Sequence, residues 1–147
     1  MDYTIMELNK DILSAEELHF FYYDVMRNTE DNIQFIYDWN NDIQNYLTNK
    51  GIVIEIKDKD SLPLKVDKDS LYFTIGENDK NNKAAAFFRH LRNAFVHFRI
   101  VHEDKYLKIE DISKEKSMIG KIKYEDLKEL CFLFFEQKDK FISENIR

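Results

Sequence analysis

Ala84-Ala85-Ala86-Phe87-Phe88-Arg89-His90-Leu91-Arg92-Asn93-Ala94-Phe95-Val96-His97-Phe98-Arg99 is the stretch on which the reading of this chain turns. At about 100° per residue around a helix, Ala84, Phe87, Leu91, Ala94, Phe95 and Phe98 fall in one arc, which is the expected core face. Arg89, Arg92, Asn93 and His97 fall in the opposite arc, with Val96 among them. Asn93 and His97 are one turn apart and therefore neighbours, and Arg92 flanks Asn93. Most histidines are core or surface residues without a chemical task. His97 faces away from the Phe stripe, so a solvated basic face is the plain alternative to a working site.

Working outward from this helix, Asn78 or Asp79 is the expected cap at its start and Phe98 its approximate end. Tyr106 to Ile112 and Ser117 to Ile122 then read as a short hairpin around the polar stretch Ser113–Lys116. A last helix follows from Tyr124 to about Ile142, with Leu127, Leu130, Cys131, Phe134 and Phe141 on one stripe that Phe132, Leu133 and Phe135 widen. Upstream, Ile52–Ile56 and Leu71–Ile75 are β-like runs separated by Asp58 to Asp69. That connection repeats Lys-Asp-Ser-Leu at Lys59–Leu62 and Lys68–Leu71. It lacks the glycine and terminal Glu of a calcium loop and reads as a solvated linker. Ser14 and Glu17 have capping-box spacing. They open a helix Ser14 to Arg27 with Leu18, Phe21, Tyr22 and Val25 on one face, and a second helix is expected from Glu30 to Asn49, closed by Gly51; the pattern fits Asn28-Thr29 either as a joint between the two or as an interruption of one long helix.

The 147 residues fit one domain, residues 1–147, with 21 aromatics to fill a core. One Pro and three Gly argue against a turn-rich β sandwich. The single cysteine, Cys131, excludes an internal disulfide and a cysteine-rich zinc site. No apolar stretch approaches the roughly 20 residues of a membrane span, and Met1 to Lys10 lacks a signal pattern. A cytoplasmic location is the expectation. Net charge is −6, which taken alone argues against a general nucleic-acid binder. Yet Lys80 to His102 contains no acidic residue and carries +5, leaving −11 on the rest of the chain. Three of the five arginines lie between positions 89 and 99.

Arg92-Asn93-x-x-x-His97 resembles the Arg-(four to six residues)-His motif of HEPN domains, including the polar residue directly after the arginine. Leu91 to His97, then Tyr106-Leu107-Lys108-Ile109-Glu110-Asp111, Met118-Ile119-Gly120-Lys121-Ile122 and a closing helix are similar to small stand-alone HEPN proteins. The resemblance covers about Lys80 to Phe141. It implies a mainly α fold, an antiparallel helical bundle with small inserted β elements, which dimerises through the motif helix. It also implies an endoribonuclease that needs no metal and no cofactor, acting on RNA as a toxin or phage-defence effector and restrained by an antitoxin or regulatory protein. Arg92, Asn93 and His97 would then be catalytic, with Arg89, Arg99 and Lys83 contacting RNA. Two departures stand out: Phe98 replaces the Gly that often follows the His, and Arg99 occupies the place of a Tyr found in toxins paired with nucleotidyltransferases. Phe98 is expected to continue the helix and add to its core.

Other candidates carry less. His90 and His102 could join His97 around a metal, but the spacing from His90 to His97 is not one turn. His19, beside Phe20-Phe21-Tyr22-Tyr23, is expected to be partly buried, and that aromatic run to be core or dimer surface. Cys131 is expected to pack. Two other functions stay open from sequence: a HEPN-like module that binds without cleaving, and an antitoxin or regulator whose acidic surface engages a basic protein.

Overall fold

Ser14 and Glu17 close on each other where the chain enters its first helix. The Glu17 carboxylate accepts from the Ser14 N–H at 2.7 Å, and the Ser14 hydroxyl accepts from the Glu17 N–H at 3.2 Å. The structure, a computed structural model, describes residues 12–30, 36–66, 68–76, 82–113 and 117–145. Helix α1, Ala15–His19, passes directly into a π-helical segment, Phe20–Val25. The wider turn changes which side chains share a face. Phe20, Phe21 and Val25 are buried, whereas Leu18 and Tyr22, expected inside on regular spacing, are exposed.

Helix α2, Asn41–Lys50, is capped by the Asn40 side chain, which accepts from Ile43 N–H, and it ends at Gly51 in the left-handed region, φ 71°. It is shorter than the expected Glu30–Asn49. Within residues 36–40, two aromatic side chains fill the core from irregular backbone: Tyr37 lies 5.0 Å from Phe88, and Trp39 lies 5.4 Å from Phe134, centroid to centroid. Residues 31–35 lie outside the described residues.

Strands β1 (Val53–Ile56) and β2 (Ser70–Phe73) pair in parallel. Their connection is long enough for such a crossover and contains a 3₁₀ turn, Lys59–Ser61, built on the first Lys-Asp-Ser-Leu copy. Helix α3 is Lys83–Val96. The Asn82 side chain caps it by accepting from Ala85 N–H at 3.0 Å, while Asn78 and Asp79 lie outside the described residues. Strand β3 (Ile100–Glu103) follows, then the expected hairpin of β4 (Tyr106–Ile112) and β5 (Ser117–Ile122), and helix α4 (Tyr124–Asn145).

The five strands form one mixed sheet in the order β1-β2-β5-β4-β3. This overturns the expectation of a mainly α, antiparallel helical bundle with small inserted β elements: the domain is α+β, and the sheet is one of its layers. The physical reason is that β2 pairs antiparallel with β5, a strand about fifty residues away, which joins two local β units into one sheet. One rung, Ile54–Leu71–Gly120–Ile109–Ile100, crosses all five strands, and every residue in it is buried. Gly120 is required there. A Cβ would stand 2.0 Å from Ser70 O and 2.7 Å from Leu71 Cα, both backbone atoms of β2. Helix α3 packs against β4 and β5, and Phe87, Phe88, Phe134 and Phe135 complete the core between α3 and α4. Among the described residues, no helix is long and apolar enough to cross a membrane.

Candidate functional site

Helix α3 is enclosed along its first two-thirds, where residues 84–88, 90, 91 and 94 are buried. Its last turn opens. Arg92 is exposed, Asn93 is half-buried, Val96 is 42% exposed and His97 is exposed. Of the expected face of Arg89, Arg92, Asn93, Val96 and His97, therefore, Arg92, Val96 and His97 are exposed at one end of the helix, while Asn93 and Arg89 are half-buried.

The way the helix stops determines what surrounds His97. His97 is the C-cap residue, and its N–H still donates to Asn93 O at 3.0 Å. Phe98 then turns left-handed, φ 59°. Its N–H donates to Phe95 O, and Arg99 N–H donates to Ala94 O at 2.8 Å. These two bonds form a Schellman ending, which satisfies the last carbonyls and usually places glycine at the left-handed residue. Phe98 thus ends the helix instead of continuing it, and its side chain is 90% exposed rather than part of the core. The Cβ of any L-residue crowds the following carbonyl in this conformation.

Arg99 leads straight into the sheet edge. Its carbonyl accepts from Glu110 N–H at 3.1 Å, drawing the end of β4 against the end of α3. The result is a cavity of about 520 Å³ lined by His97, Arg99, Glu110, Asp111 and Ile112. Asp111 is fixed from below. His90 Nδ1 donates to Asp111 Oδ2 at 2.7 Å, and the His90 side chain is fully buried. His90 Nε2 lies 3.0 Å from Thr74 O and 3.2 Å from Arg89 Nη2. With Nδ1 donating, a neutral ring accepts from Arg89 and a protonated ring donates to Thr74.

Of the three expected RNA-contacting cations, Arg99 stays at the cavity. Arg89 is half-buried and engaged with His90, and burial lowers its pKa against the attraction of Asp111. Lys83 sits at the opposite end of α3, roughly 20 Å from His97 at 1.5 Å per residue. Its ammonium donates to Ile54 O at 2.9 Å and lies 4.1 Å above the Trp39 ring. Burial pushes the Lys83 pKa down, against the attraction of Glu55.

The remaining histidines go to separate partners, so a His90–His97–His102 metal set does not form. His102 Nε2 is 2.6 Å from Glu17 Oε1, tying β3 to α1. His19 is exposed and stacks on Tyr23. The aromatic run divides: Phe20 and Phe21 are core, while Tyr22 and Tyr23 are exposed. Cys131 is fully buried, and burial drives its thiol pKa up, consistent with packing.

Glu110 and Asp111 are the site residues that sequence reasoning missed. A signal existed for Asp111. In Leu107-Lys108-Ile109-Glu110-Asp111, alternation places Leu107, Ile109 and Asp111 on the inward face, so a carboxylate continues an apolar row and needs a buried partner. His90 follows Phe87 by three residues and precedes Ala94 by four, which places it on the core face of α3 and makes it that partner.

A family model described as HEPN pEK499 p136 matches residues 22–145. No curated protein and no solved structure matches.

Proposed function

The chain belongs to the HEPN family described as pEK499 p136, and on that premise we propose that it is an endoribonuclease that cleaves RNA by 2′-OH attack without a metal cofactor. The observation that carries the reading is the open last turn of α3. Arg92, Asn93 and His97 share one accessible face, and His97 lines a cavity together with Arg99. In this reading two chains pair through that face, with Val96 at the contact, and each contributes Arg92, Asn93 and His97 to one composite site.

The chemistry needs one base and one acid. One His97 takes the proton of the ribose 2′-OH as its oxygen bonds to the adjacent phosphorus. The partner's His97 protonates the 5′ oxygen as the P–O5′ bond breaks. The products are a 2′,3′-cyclic phosphate and a 5′-OH, and imidazole is suited to both transfers near neutral pH. Arg92 stabilises the charge that builds on the five-coordinate phosphorus with its forked donors. Asn93 holds His97 or a phosphate oxygen, and Arg99 meets the RNA backbone. The cellular role in this reading is that of a toxin or phage-defence effector held in check by an antitoxin or regulator.

A second reading, a protein that engages a basic partner, draws on the groove between α2 and α4. There Asp38, Asp42, Glu136 and Glu144 surround Ile43, Leu133 and Phe141, with Lys140 the one cation among the described lining residues.

The deciding experiment incubates wild type, His97→Ala and Arg92→Ala with RNA in EDTA. The proposal expects cleavage by wild type and a loss of about 10²–10⁴-fold in each variant. Equal cleavage by all three would point to a contaminating nuclease. No cleavage by wild type across varied RNAs would leave a binding module.

A further inference from the structure

Phe98 is held where a phenylalanine is strained, and its ring gains nothing from the fold. Its φ of 59° lies in the left-handed region, which glycine enters freely and a bulky L-residue does not. Asp104 is the other non-glycine residue there among the described ones, and aspartate is a type that tolerates it. The Phe98 ring is the most exposed aromatic among the described residues and makes no ring contact with any of them. A glycine would form the same Schellman ending without strain, so capping of the helix does not account for the side chain. Backbone strain of this kind gathers at functional sites. Glycine often follows the motif histidine in HEPN domains, so the ring is a feature of this chain rather than of the motif.

The neighbouring side chains indicate what such a ring meets. Phe98 lies between His97 and Arg99, its Cα about 3.8 Å from each of theirs, and both side chains are exposed. Arg92 is exposed on the same end of α3. The carboxylates of this corner are already engaged, Glu110 with Lys108 at 3.1 Å and Asp111 with His90 at 2.7 Å. Among the described residues, neither Arg92 nor Arg99 forms an ion pair. An aromatic face beside unpaired cations is how single-stranded nucleic acid is held: the cations take phosphates and the ring takes a base. Contacts between proteins are marked by contiguous apolar patches, whereas this ring is flanked along the chain by an imidazole and a guanidinium. We propose that Phe98 stacks on a nucleobase next to the phosphate at His97, with Arg99 on the backbone of the same nucleotide. The placement of the RNA rests on the ribonuclease reading, and the choice of ring on its exposure and its backbone conformation. Every base has a face to stack, so the contact does not select among bases. Phe98 is a positioning residue that sets the phosphate in line with the imidazole.

The test separates the stack from the chemistry. Binding is measured with 2′-O-methyl hexanucleotides, which cannot be cleaved by 2′-OH attack, each carrying one abasic residue at a successive position. Wild type should lose roughly 5- to 150-fold at one position, the scale of a base–aromatic stack. Phe98→Gly suits the left-handed backbone and should keep a cooperative melt. In that variant the same abasic residue should change binding by less than about twofold, because the partner of the base is gone. Phe98→Trp should restore the sensitivity. Cleavage of an all-ribose hexanucleotide in EDTA reads the chemistry separately. Sensitivity to the abasic residue without cleavage would keep the stack and remove the ribonuclease. Cleavage by wild type with no position sensitive to base loss would overturn the stack and leave the ribonuclease standing. If Phe98→Gly binds intact and abasic RNA equally weakly, and sediments as a monomer where wild type is a dimer, the ring belongs to a contact between copies and the proposal is refuted. Failure of wild type to bind any of the hexanucleotides would refute it as well.

Discussion

Phe98 offers a sharp test of how helix α3 ends, because glycine has opposite consequences in a helix interior and in a left-handed terminus. The comparison is between Phe98→Gly and Phe98→Ala. Both remove the ring, and because Phe98 is 90% exposed, that loss is small and common to the two. They differ in the Cβ and in unfolded-state freedom. At φ 59° the Cβ of alanine costs about 1–2 kcal/mol. Glycine's extra freedom in the unfolded chain costs about 0.4–1 kcal/mol. Glycine should therefore come out ahead by about 0.5–1 kcal/mol. If the helix ran on through Phe98, glycine would instead be worse than alanine by about 1 kcal/mol. Urea denaturation of the two variants, with equal m values as a control, reads the difference directly. A Tm higher by about 2 °C for glycine is the thermal counterpart. Alanine proving the more stable would refute the Schellman ending and, with it, the geometry that brings Arg99 and β4 to His97.

Four further outcomes follow from the structure. Gly120→Ala should destabilise by about 3 kcal/mol or more, or prevent folding, because the new methyl meets β2 backbone that cannot move aside; thermal melting checks it. His90→Ala should cost about 3 kcal/mol by leaving Asp111 Oδ2 without its buried partner, read by chemical denaturation. Burial alone would raise the pKa of Glu17, but the Ser14 N–H and hydroxyl and His102 outweigh it and hold it below the ordinary carboxylate value. A lowered folded pKa means the stabilisation is complete above the ordinary value and is lost as pH falls through the folded one. Glu17→Gln should flatten that acid limb of a stability–pH curve. His97→Ala, a substitution at an exposed position, should leave the melting temperature within about 1 °C while abolishing most cleavage.

Local signals carried well into the structure, and long-range ones did not. The Ser14–Glu17 cap, the β4–β5 hairpin, and the open face of Arg92, Asn93 and His97 each depend on residues a few positions apart, so spacing alone located them. The helix end at His97 escaped because Phe98 fits the apolar arc of α3 by periodicity. Only the backbone bonds from Phe98 and Arg99 place it outside. The sheet escaped for a related reason. Alternation marks β2 and β5 as strands, but nothing in either says that Leu71 will face Gly120. The two carboxylates at the site arrive through that same sheet, by way of the β3–β4 turn at Asp104, where φ is again positive. The acid-free helix therefore receives its acids from a neighbouring strand. Of the cations in the +5 segment, Arg92 and Arg99 stand exposed at the open end of α3, whereas Lys83 and Arg89 are half-buried and engaged elsewhere.

The central claim is that His97, at the open end of α3, performs acid–base chemistry on RNA. The most direct measurement is the chemical identity of the product ends formed in EDTA, read by mass spectrometry of a short oligonucleotide. The account predicts a 2′,3′-cyclic phosphate and a 5′-OH from wild type, and intact substrate both with His97→Ala and when the substrate's 2′-OH groups are methylated. A 5′-phosphate end, or cleavage that persists on the methylated substrate, would contradict it.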